Sequence, residues 1–430
     1  MGGGRLSTQP VTGEFCTIRV VPTIDVFRSV LSLWNLHLHS QLAVIGGGPA
    51  GLRAAEVAAD RGLRVTLYDG KPSVGRKFLV AGKGGLNLTH GEANEYFVTR
   101  YSGPDQPEEI WQGLIADFDS TALRAWAAGL GVETFQATSG RVYPRALKAA
   151  PLLRRWIERL RGLGVQFEMN HRLISLTPGP PYSLGFANGT TATADAVILA
   201  LGGGSWSRTG SDGGWTTIFE KLDIAHHPLA PANCGWEHAW TPEILAAAEG
   251  KPLKNIHVRA GEHQVSGELM LTRYGLEGGT IYQLGATLRA MPEPAVIIDF
   301  KPTFSHPQLV AKMESVRRDF LKEATVRWKL SESAAAILAQ KTYSDTAALA
   351  HEAKHCLIPL SRPRPIDEAI SSAGGLCWSE LDSALMVKKL PGIFAAGEMI
   401  DWEAPTGGYL MQGCFATATR AASSAAAWLG

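Results

Sequence analysis

Three glycines between an apolar segment and an alanine-rich segment have the spacing of a dinucleotide-binding turn. Gly46, Gly48 and Gly51 form a GxGxxG pattern, and Asp69 follows eighteen residues after the last of them. The first glycine permits a tight bend, the second lets backbone N–H groups approach a pyrophosphate, and the third lets helix and strand pack closely. An acid at position 69 can accept hydrogen bonds from an adenosine ribose and disfavours a 2′-phosphate. The pattern predicts a dinucleotide site.

Two segments near the C-terminal end favour a flavin over a nicotinamide dinucleotide. The apolar residues 392–396 run into Gly397 and Glu398, a position where a carboxylate can hold a ribityl chain. Residues 405–412 lead into a helix of small side chains, whose N-terminal dipole would stabilise negative charge on a reduced flavin. FAD is therefore predicted, and a buried strand followed by an ordinary turn is the alternative interpretation of residues 392–401.

The elements that must position these residues follow from the spacing of apolar side chains. Strand patterns lie at residues 42–46, 63–69, 165–176, 182–193, 196–201, 255–259, 280–288, 295–300 and 392–396. Helical patterns lie at residues 50–62, 108–131, 145–162, 307–354 and 413–428. Asn188-Gly189 is a hairpin signal inside one strand pattern. The regular alternation of strand and helix stops near Trp206, which predicts an insertion with β content.

A glycine-rich basic loop at residues 74–90 is the most distinctive part of the chain. It contains Gly75-Arg76-Lys77 and, farther on, Gly84-Gly85-Leu86-Asn87-Leu88-Thr89. So many glycines beside two basic residues indicate a backbone that lies close to a flat anionic ligand, with an exposed basic loop as the alternative. The loop, residues 267–278, residues 373–375 and residues 391–412 together resemble the motifs of the BaiN/RdsA-like NAD(P)/FAD-dependent flavoproteins, from about residue 43 to residue 418.

The resemblance implies a fold and a set of cofactor-binding positions. The fold class would be α/β, a Rossmann-type two-dinucleotide FAD-binding domain interrupted by an inserted domain with β-barrel-like and helical parts. The implied FAD-binding residues are Gly46, Gly48, Gly51, Asp69, Arg76, Lys77, Asn87, Gly202, Gly397, Glu398, Asp401, Gly408 and Gln412. The expected domains are an N-terminal extension at 1–40, the FAD-binding domain at 41–205, an inserted β-rich domain at 206–305, a helical insert at 306–355, and the return to the FAD-binding domain at 356–430.

The chain departs from the family pattern where chemistry is expected. Gly85-Leu86 stands where the family commonly has Arg-Cys, and Leu410 replaces an asparagine. A mechanism that uses a cysteine at position 86 is therefore excluded, and an altered substrate is expected. The candidate catalytic residues are Lys83, Arg273 and Tyr274, because Lys and Arg can hold an anion and Tyr can donate a proton. Surface or hairpin packing is the alternative for each.

Composition limits the partners and the compartment. The 430 residues carry 41 Lys plus Arg against 40 Asp plus Glu, so the net charge of +1 does not indicate a nucleic-acid or membrane-surface binder. The five cysteines form no CxxC and favour a reducing cytoplasm. No apolar stretch reaches the ~20 residues of a membrane helix. No metal is expected, because His226-His227 and the pair His351 and His355 lack an accompanying HExxH.

These features predict an FAD-dependent oxidoreductase, in the main hypothesis an NAD(P)H-linked reductase of a small unsaturated or carbonyl-conjugated substrate. No second GxGxxG follows Gly204, so a nicotinamide donor would dock transiently. The alternatives are a flavin amine oxidase, an RNA uracil reductase and a flavin-binding sensor without catalysis. For RNA, an arginine stripe is the candidate surface: Arg141, Arg145, Arg154 and Arg155. For the sensor, tryptophans would contact a partner: Trp111, Trp126, Trp206, Trp215, Trp236 and Trp240.

Overall fold

The computed structural model describes residues 1–5 and 40–430, so the predicted extension at 1–40 lies almost entirely outside the described residues. The strands in chain order are β1 Gln41–Ile45, β2 Arg64–Asp69, β3 Thr89–His90, β4 Thr134–Gln136, β5 Arg141–Pro144, β6 Gln166–Met169, β7 Leu173–Thr177, β8 Tyr182–Phe186, β9 Thr191–Ala194, β10 Ala196–Leu199, β11 His226–Ala232, β12 Trp236–Glu237, β13 Pro252–Ala260, β14 His263–Thr272, β15 Gly275–Glu277, β16 Ala295–Asp299, β17 Cys356–Pro359, β18 Ser371–Leu376 and β19 Ile393–Ala395. The helices are α1 Pro49–Asp60, α2 Arg76–Ala81, α3 Asn94–Phe97, α4 Ile110–Asp117, α5 Ser120–Gly129, α6 Ala149–Gly162, α7 Thr216–Lys221, α8 Pro242–Ala248, α9 Gly279–Gln283, α10 Gly285–Ala290, α11 His306–Ala311, α12 Phe320–Arg327, α13 Glu332–Leu338, α14 Thr346–Lys354 and α15 Tyr409–Leu429.

Five parallel strands form the sheet that carries the glycine turn, in the order β19-β10-β1-β2-β6. The central strands β1 and β10 are almost wholly buried, as expected where helices cover both faces of a parallel sheet. Helix α1 leaves the turn after β1 and packs against α15. The strand, helix, strand order predicted at residues 42–69 is confirmed. The turn lies at the C-terminal edge of the sheet, where open α/β sheets bind ligands.

A second sheet is antiparallel, in the order β12-β15-β14-β13-β16-β17. It has a hydrophobic core of its own, in which Trp236, Val258, Leu271 and Trp328 are at most 2% exposed. Helices α8 to α14 contribute side chains to the same core. The α/β fold class, with a parallel nucleotide-binding sheet and a separate β-rich part, is therefore confirmed.

Two antiparallel strands, β11 and β18, connect the two sheets along the chain. Strand β11 precedes the first strand of the antiparallel sheet, and β18 follows its last strand and precedes β19 of the parallel sheet. The chain therefore leaves the nucleotide-binding region through β11 and returns to it through β18, and these two strands lie next to each other. We retain as a proposal that residues 206–305 and 306–355 are the two parts of an inserted domain.

Two strand predictions are wrong in detail. Residues 280–288 form helices α9 and α10, because Ile281, Leu284 and Leu288 are buried at a spacing of three and four residues, which is the period of a helix. Residues 165–176 form two strands in different sheets, since the chain turns at Asn170, whose φ is +60°. The hairpin predicted at Asn188-Gly189 is confirmed by the antiparallel pair β8 and β9.

None of the described helices combines the length and the apolar character that crossing a bilayer requires. The 21-residue α15 is buried along much of its length against the parallel sheet and α1. Within the described part of the chain, no three His, Cys, Asp or Glu side chains are grouped to hold a metal ion. His351 and His355 lie with ring centroids 5.0 Å apart on and just after α14.

Candidate functional site

A cleft opens at the C-terminal edge of the parallel sheet, where β1, β2 and β10 end. It is lined by residues 46–50, 68–71, 75–77 and 200–202, and by Glu398. These segments are far apart in sequence, and the parallel arrangement brings their ends together. The cleft therefore joins the predicted glycine turn to the basic loop and to the C-terminal motif.

The three glycines of the turn differ in what surrounds them. A Cβ atom on Gly46 would lie 2.2 Å from the carbonyl oxygen of Ala200, and one on Gly51 would lie 1.7 Å from that of Gly46. A Cβ atom on Gly48 would meet no atom within 4 Å. Gly46 and Gly51 are thus required by packing, whereas Gly48, at the N-cap of α1, faces open space that a pyrophosphate can fill.

The carboxylate of Asp69 is fixed at the end of β2. Its two oxygens accept hydrogen bonds from the backbone N–H groups of Gly47 and Lys71, each at 2.7 Å. Burial raises the pKa of Asp69 above its ordinary value, and the two backbone hydrogen bonds oppose that shift. Carboxylate oxygens accept more than one hydrogen bond each, so Asp69 retains capacity for ribose hydroxyl groups.

Glu398 is held in the cleft by an ion pair that spans most of the chain. Lys77 Nζ lies 2.7 Å from Glu398 Oε2 and also 2.7 Å from Ser205 Oγ. The backbone N–H of Ser372 donates to the other Glu398 oxygen at 3.0 Å. The Glu398 side chain is only 13% exposed, so these partners compensate a carboxylate that is largely removed from water.

Two buried polar atoms of the basic loop have no partner among the described residues. They are Arg76 Nε, beside the cleft, and Asn87 Oδ1. Unpaired buried polar atoms are uncommon because each costs free energy, and they are often satisfied by a ligand or water. Arg76 and the open space at Gly48 both belong to the cleft and fit a bound FAD, whereas Asn87 is not among the residues that line it.

The C-terminal motif brings the start of α15 against β3 and α1. Gly408, the N-cap of α15, has φ +105°, and a Cβ atom there would lie 2.4 Å from the backbone of Thr89. A Cβ atom on Gly397, whose φ is +80°, would lie 2.7 Å from Ala50. These glycines therefore let the motif approach both the glycine turn and β3, the strand at the end of the basic loop.

Three further predicted FAD-binding residues have partners within the protein. Gln412 is fully buried; it accepts from the Thr89 hydroxyl at 2.7 Å and donates to the Phe118 carbonyl at 2.6 Å. Asp401 is 2% exposed, with Oδ2 lying 2.6 Å from Nδ1 of His227. Gly202 lines the cleft, and its carbonyl accepts from a tryptophan indole. Only Gly202 of the three reaches the cleft.

Cys414 lines the cleft from α15. Burial, with a smaller contribution from the charge of Glu398, raises the pKa of Cys414 to about 12. At neutral pH the side chain is therefore a thiol.

The candidate catalytic residues do not come together. Lys83 is exposed. Arg273 is 81% exposed and lies 3.8 Å from a carboxylate oxygen of Glu249. Tyr274 is partly buried, and its hydroxyl donates to Glu277, which also accepts from the hydroxyl of Tyr282. None of the three is among the residues that line the cleft, and only Tyr274 belongs to a partly buried polar group.

Sequence reasoning missed several residues that shape the site. Ser205 and Ser372 fix Lys77 and Glu398, and His227 faces Asp401. Both serines lie beside glycine-rich segments, which is the sequence signal that could have identified them. Ser205 follows the glycines at 202–204, and Ser372 immediately precedes the motif at 373–375. The pairing of Glu277 with two tyrosines had no local signal, since all three residues occur in an ordinary hairpin and helix.

Comparison with known proteins decides the family. The family model of the HI0933-like protein Rossmann domain matches residues 40–424. The chain belongs to this family. Membership agrees with the resemblance that the glycine-rich loop predicted, and it makes this HI0933-like protein an FAD-dependent oxidoreductase.

Two curated relatives match this HI0933-like chain over nearly their whole length. The 3-dehydro-bile acid delta(4,6)-reductase of Clostridium scindens is 27% identical over 417 residues, covering 90% of this chain and 99% of the relative. The ribosomal RNA dihydrouridine synthase of Escherichia coli K12 is 22% identical over 391 residues, covering 87% and 95%. Among solved structures, a 3-ketosteroid-delta4-(5alpha)-dehydrogenase from Rhodococcus jostii RHA1 has a TM-score of 0.49 at 16% identity, covering 90% of this chain and 97% of that one. The open form of a flavocytochrome c3 fumarate reductase has a TM-score of 0.45 at 13% identity, covering 99% and 85%.

Proposed function

We propose that the protein is an NAD(P)H-linked reductase that reduces a carbon–carbon double bond conjugated with a carbonyl group in a small substrate. The observation that carries this proposal is the match to a relative named as a bile acid reductase, which extends over 99% of that relative. The sequence has no second GxGxxG after Gly204, so it shows no separate binding motif for the donor. A nicotinamide donor would then bind transiently at the flavin.

When bound, FAD supplies two-electron transfer between the nicotinamide donor and the double bond. In this proposal the backbone around Gly48 binds the pyrophosphate, and Asp69 binds the adenosine ribose. Glu398, held by Lys77, binds the ribityl hydroxyl groups. The N-terminus of α15 then stabilises negative charge at the pyrimidine edge of the ring.

Tyr274 is our proposed proton donor to the reduced carbon. The hydroxyl carries a proton at neutral pH, and burial, the first cause, together with the neighbouring Glu277 raises its pKa, which makes it a weaker acid than a free tyrosine. Lys83 and Arg273 remain candidates for anion binding, although their exposure favours the surface alternative. We expect Tyr274→Phe to lower kcat by about a hundredfold while the FAD content stays unchanged. Tyr282→Phe, which removes the other hydroxyl on Glu277, is the matched control.

The reductase proposal is tested by anaerobic stopped-flow absorbance. NADPH or NADH should bleach the flavin band, and an enone or dienone acceptor, such as a steroid with a conjugated ketone, should restore it. Bleaching by amines instead, with hydrogen peroxide formed in air, would replace the reductase by an oxidase. A flavin that responds to no donor or acceptor would leave the sensor alternative.

The RNA uracil reductase is the second candidate, because one relative is named a ribosomal RNA dihydrouridine synthase. The arginine stripe gives this candidate limited support, because two of its four arginines already have partners within the protein. Arg145 forms an ion pair with Glu133 at 2.8 Å, and Arg155 donates to the carbonyl of Leu130 at 3.0 Å. Dihydrouridine formed in a ribosomal RNA transcript, and no turnover of enones, would favour this candidate.

The sensor hypothesis loses its proposed docking surface. Of the six tryptophans suggested as contacts, all but Trp206 are buried, with exposures of 8% or less. We therefore retain a small molecule as the proposed partner and the cytoplasm as the proposed compartment. The buried Cys234, Cys356 and Cys377 are free thiols, which agrees with a reducing environment.

A further inference from the structure

A second cavity lies in the antiparallel-sheet region and shares no lining residue with the FAD cleft. Its volume is about 380 Å³. Three separate segments form it: the first half of β13, the chain just after β16, and the connection between α12 and α13 with the first turn of α13. The proposed flavin chemistry uses none of these segments, so the cavity requires its own explanation.

Three lysines face this cavity and no acidic residue does. Lys254, Lys301 and Lys329 all line it, Lys301 as a partly buried side chain and the other two as exposed ones at its rim. Among the described residues none of the three forms an ion pair, and Lys301 Nζ donates only to the carbonyl of Lys329, at 2.8 Å. Burial and the neighbouring Lys329 both lower the pKa of Lys301, so its charge is not compensated by a nearby carboxylate.

The carboxylates next to the cavity in sequence are already neutralised by other lysines. Asp299 pairs with Lys354 at 2.6 Å, and Glu332 pairs with Lys251. The cavity therefore keeps an excess of three positive charges, although the chain as a whole has a net charge of only +1. Like charges that converge in a concave site raise the local concentration of anions.

The backbone around the lysines is irregular in two places. The register of β13 shifts between Leu253 and Ile256, and Asn255 inside that bulge has φ +52°. Lys329 also has φ +52°. Bulges and left-handed non-glycine residues cost free energy and concentrate at binding sites, where they re-aim side chains.

We propose that this cavity binds the diphosphate or phosphate group of a small phosphorylated ligand. Three ammonium groups match a multiply charged phosphate better than a single carboxylate. The hydroxyl of Thr303 and the amide of Asn255 add hydrogen-bonding groups, while Leu253 and Phe300 add an apolar wall for the rest of the ligand. The proposal does not depend on the direction of the redox reaction.

Isothermal titration of the FAD-loaded protein with inorganic pyrophosphate and with ADP tests the proposal. Bound FAD blocks the first cleft, and the cavity variants below separate binding in the second cavity from ADP binding at the proposed nicotinamide site. At physiological ionic strength we expect saturable binding, weakened about tenfold or more in the double variant Lys301→Gln and Lys329→Gln, because each lost ammonium removes a charge-assisted hydrogen bond. Tighter binding of ADP than of pyrophosphate would identify a nucleotide as the source of the phosphate, and equal binding would identify the free anion.

The matched control is Lys341→Gln, which removes an equally charged side chain that pairs with Glu352 outside the cavity. It should leave binding unchanged. Lys254→Gln, at an exposed side chain, is the second variant if the double variant does not fold. Absence of binding, or equal binding in cavity variants and control, would overturn the proposal. Binding of an RNA oligonucleotide without binding of pyrophosphate or ADP would also overturn it, in favour of a nucleic-acid surface.

Discussion

Glu92 connects the loop after β3 to the first residue of α15. Its carboxylate accepts two hydrogen bonds from Arg100, at 3.0 and 2.8 Å, and one from the Tyr409 hydroxyl at 2.7 Å. The hydrogen bonds from Arg100 are the first cause that lowers the pKa of Glu92 below 4.5. Glu92 thus stabilises the folded state above pH 4.5, and this contribution is lost as the pH falls through the lower folded-state pKa.

We expect Glu92→Gln to reduce the free energy of unfolding by about 1 kcal/mol at neutral pH, a value discounted for partial exposure. Urea unfolding at neutral pH and at about pH 3.5 measures the effect. The difference between variant and parent should shrink at the lower pH, and Glu95→Gln, at an exposed neighbour, should show no such change. An equal difference at both pH values would show that the ionised form of Glu92 is not what stabilises this region.

The glycines of the turn allow packing and cofactor binding to be separated. Gly51→Ala should cost about 3 kcal/mol, because the new methyl group meets the Gly46 carbonyl at 1.7 Å. Gly48→Ala should leave the melting temperature of the FAD-free protein unchanged, yet weaken FAD binding about tenfold or more, since the methyl group occupies the space for the pyrophosphate. Thermal unfolding and flavin titration of both variants test this, and full FAD affinity in Gly48→Ala would remove the turn from the cofactor site.

At the scale of the elements, one buried carboxylate joins three helices. Glu56 of α1 is fully buried and accepts from the indole N–H groups of Trp126 at 2.8 Å and Trp156 at 3.1 Å, which belong to α5 and α6. Arg53 and Arg159 supply the opposite charge, at 3.3 and 3.0 Å. This cluster fixes how α1 lies relative to its neighbours, and α1 presents the glycine turn to the cofactor.

Glu56→Leu should destabilise the protein by about 3 kcal/mol. The substitution removes the buried carboxylate with which Arg53 forms an ion pair and to which two indole N–H groups donate hydrogen bonds. Asp60→Asn is the matched control: it removes an exposed carboxylate 3.7 Å from Arg159 and should cost less than about 1 kcal/mol. Chemical denaturation measures both variants. Similar values for the two would mean that the buried ionic cluster does not organise the helices.

At the scale of the whole molecule, the two sheets have separate hydrophobic cores joined through β11 and β18. If the antiparallel-sheet region is an inserted domain, calorimetry should resolve two unfolding transitions. FAD should raise the melting temperature of only the transition that belongs to the parallel-sheet core. A thousandfold excess of FAD over its Kd corresponds to about 4 kcal/mol of added stability. A single transition that shifts as a whole would show one cooperative unit and contradict the proposed boundaries.

The glycine turn and its acid were predictable from sequence because their chemistry is local. Gly46, Gly48, Gly51 and Asp69 lie within one strand–helix–strand unit, and the requirements of a tight turn appear directly as residue types at fixed spacing. Short apolar segments were predicted less well. The apolar pattern of residues 280–288 predicts a strand, but these residues form two helices, because a short apolar run does not distinguish the period of a strand from that of a helix.

The amino-acid sequence by itself determined the α/β class, the dinucleotide turn and, through its glycine-rich loop, the family. Only the tertiary structure decided that Lys77 pairs with Glu398, 321 positions away, that Gln412 turns its amide into the protein, and that three lysines from three segments share one cavity. The physical reason is that such contacts depend on how sheets and helices pack against each other. A repeat or a residue spacing within a short segment does not indicate which distant side chain will be the hydrogen-bond or ion-pair partner.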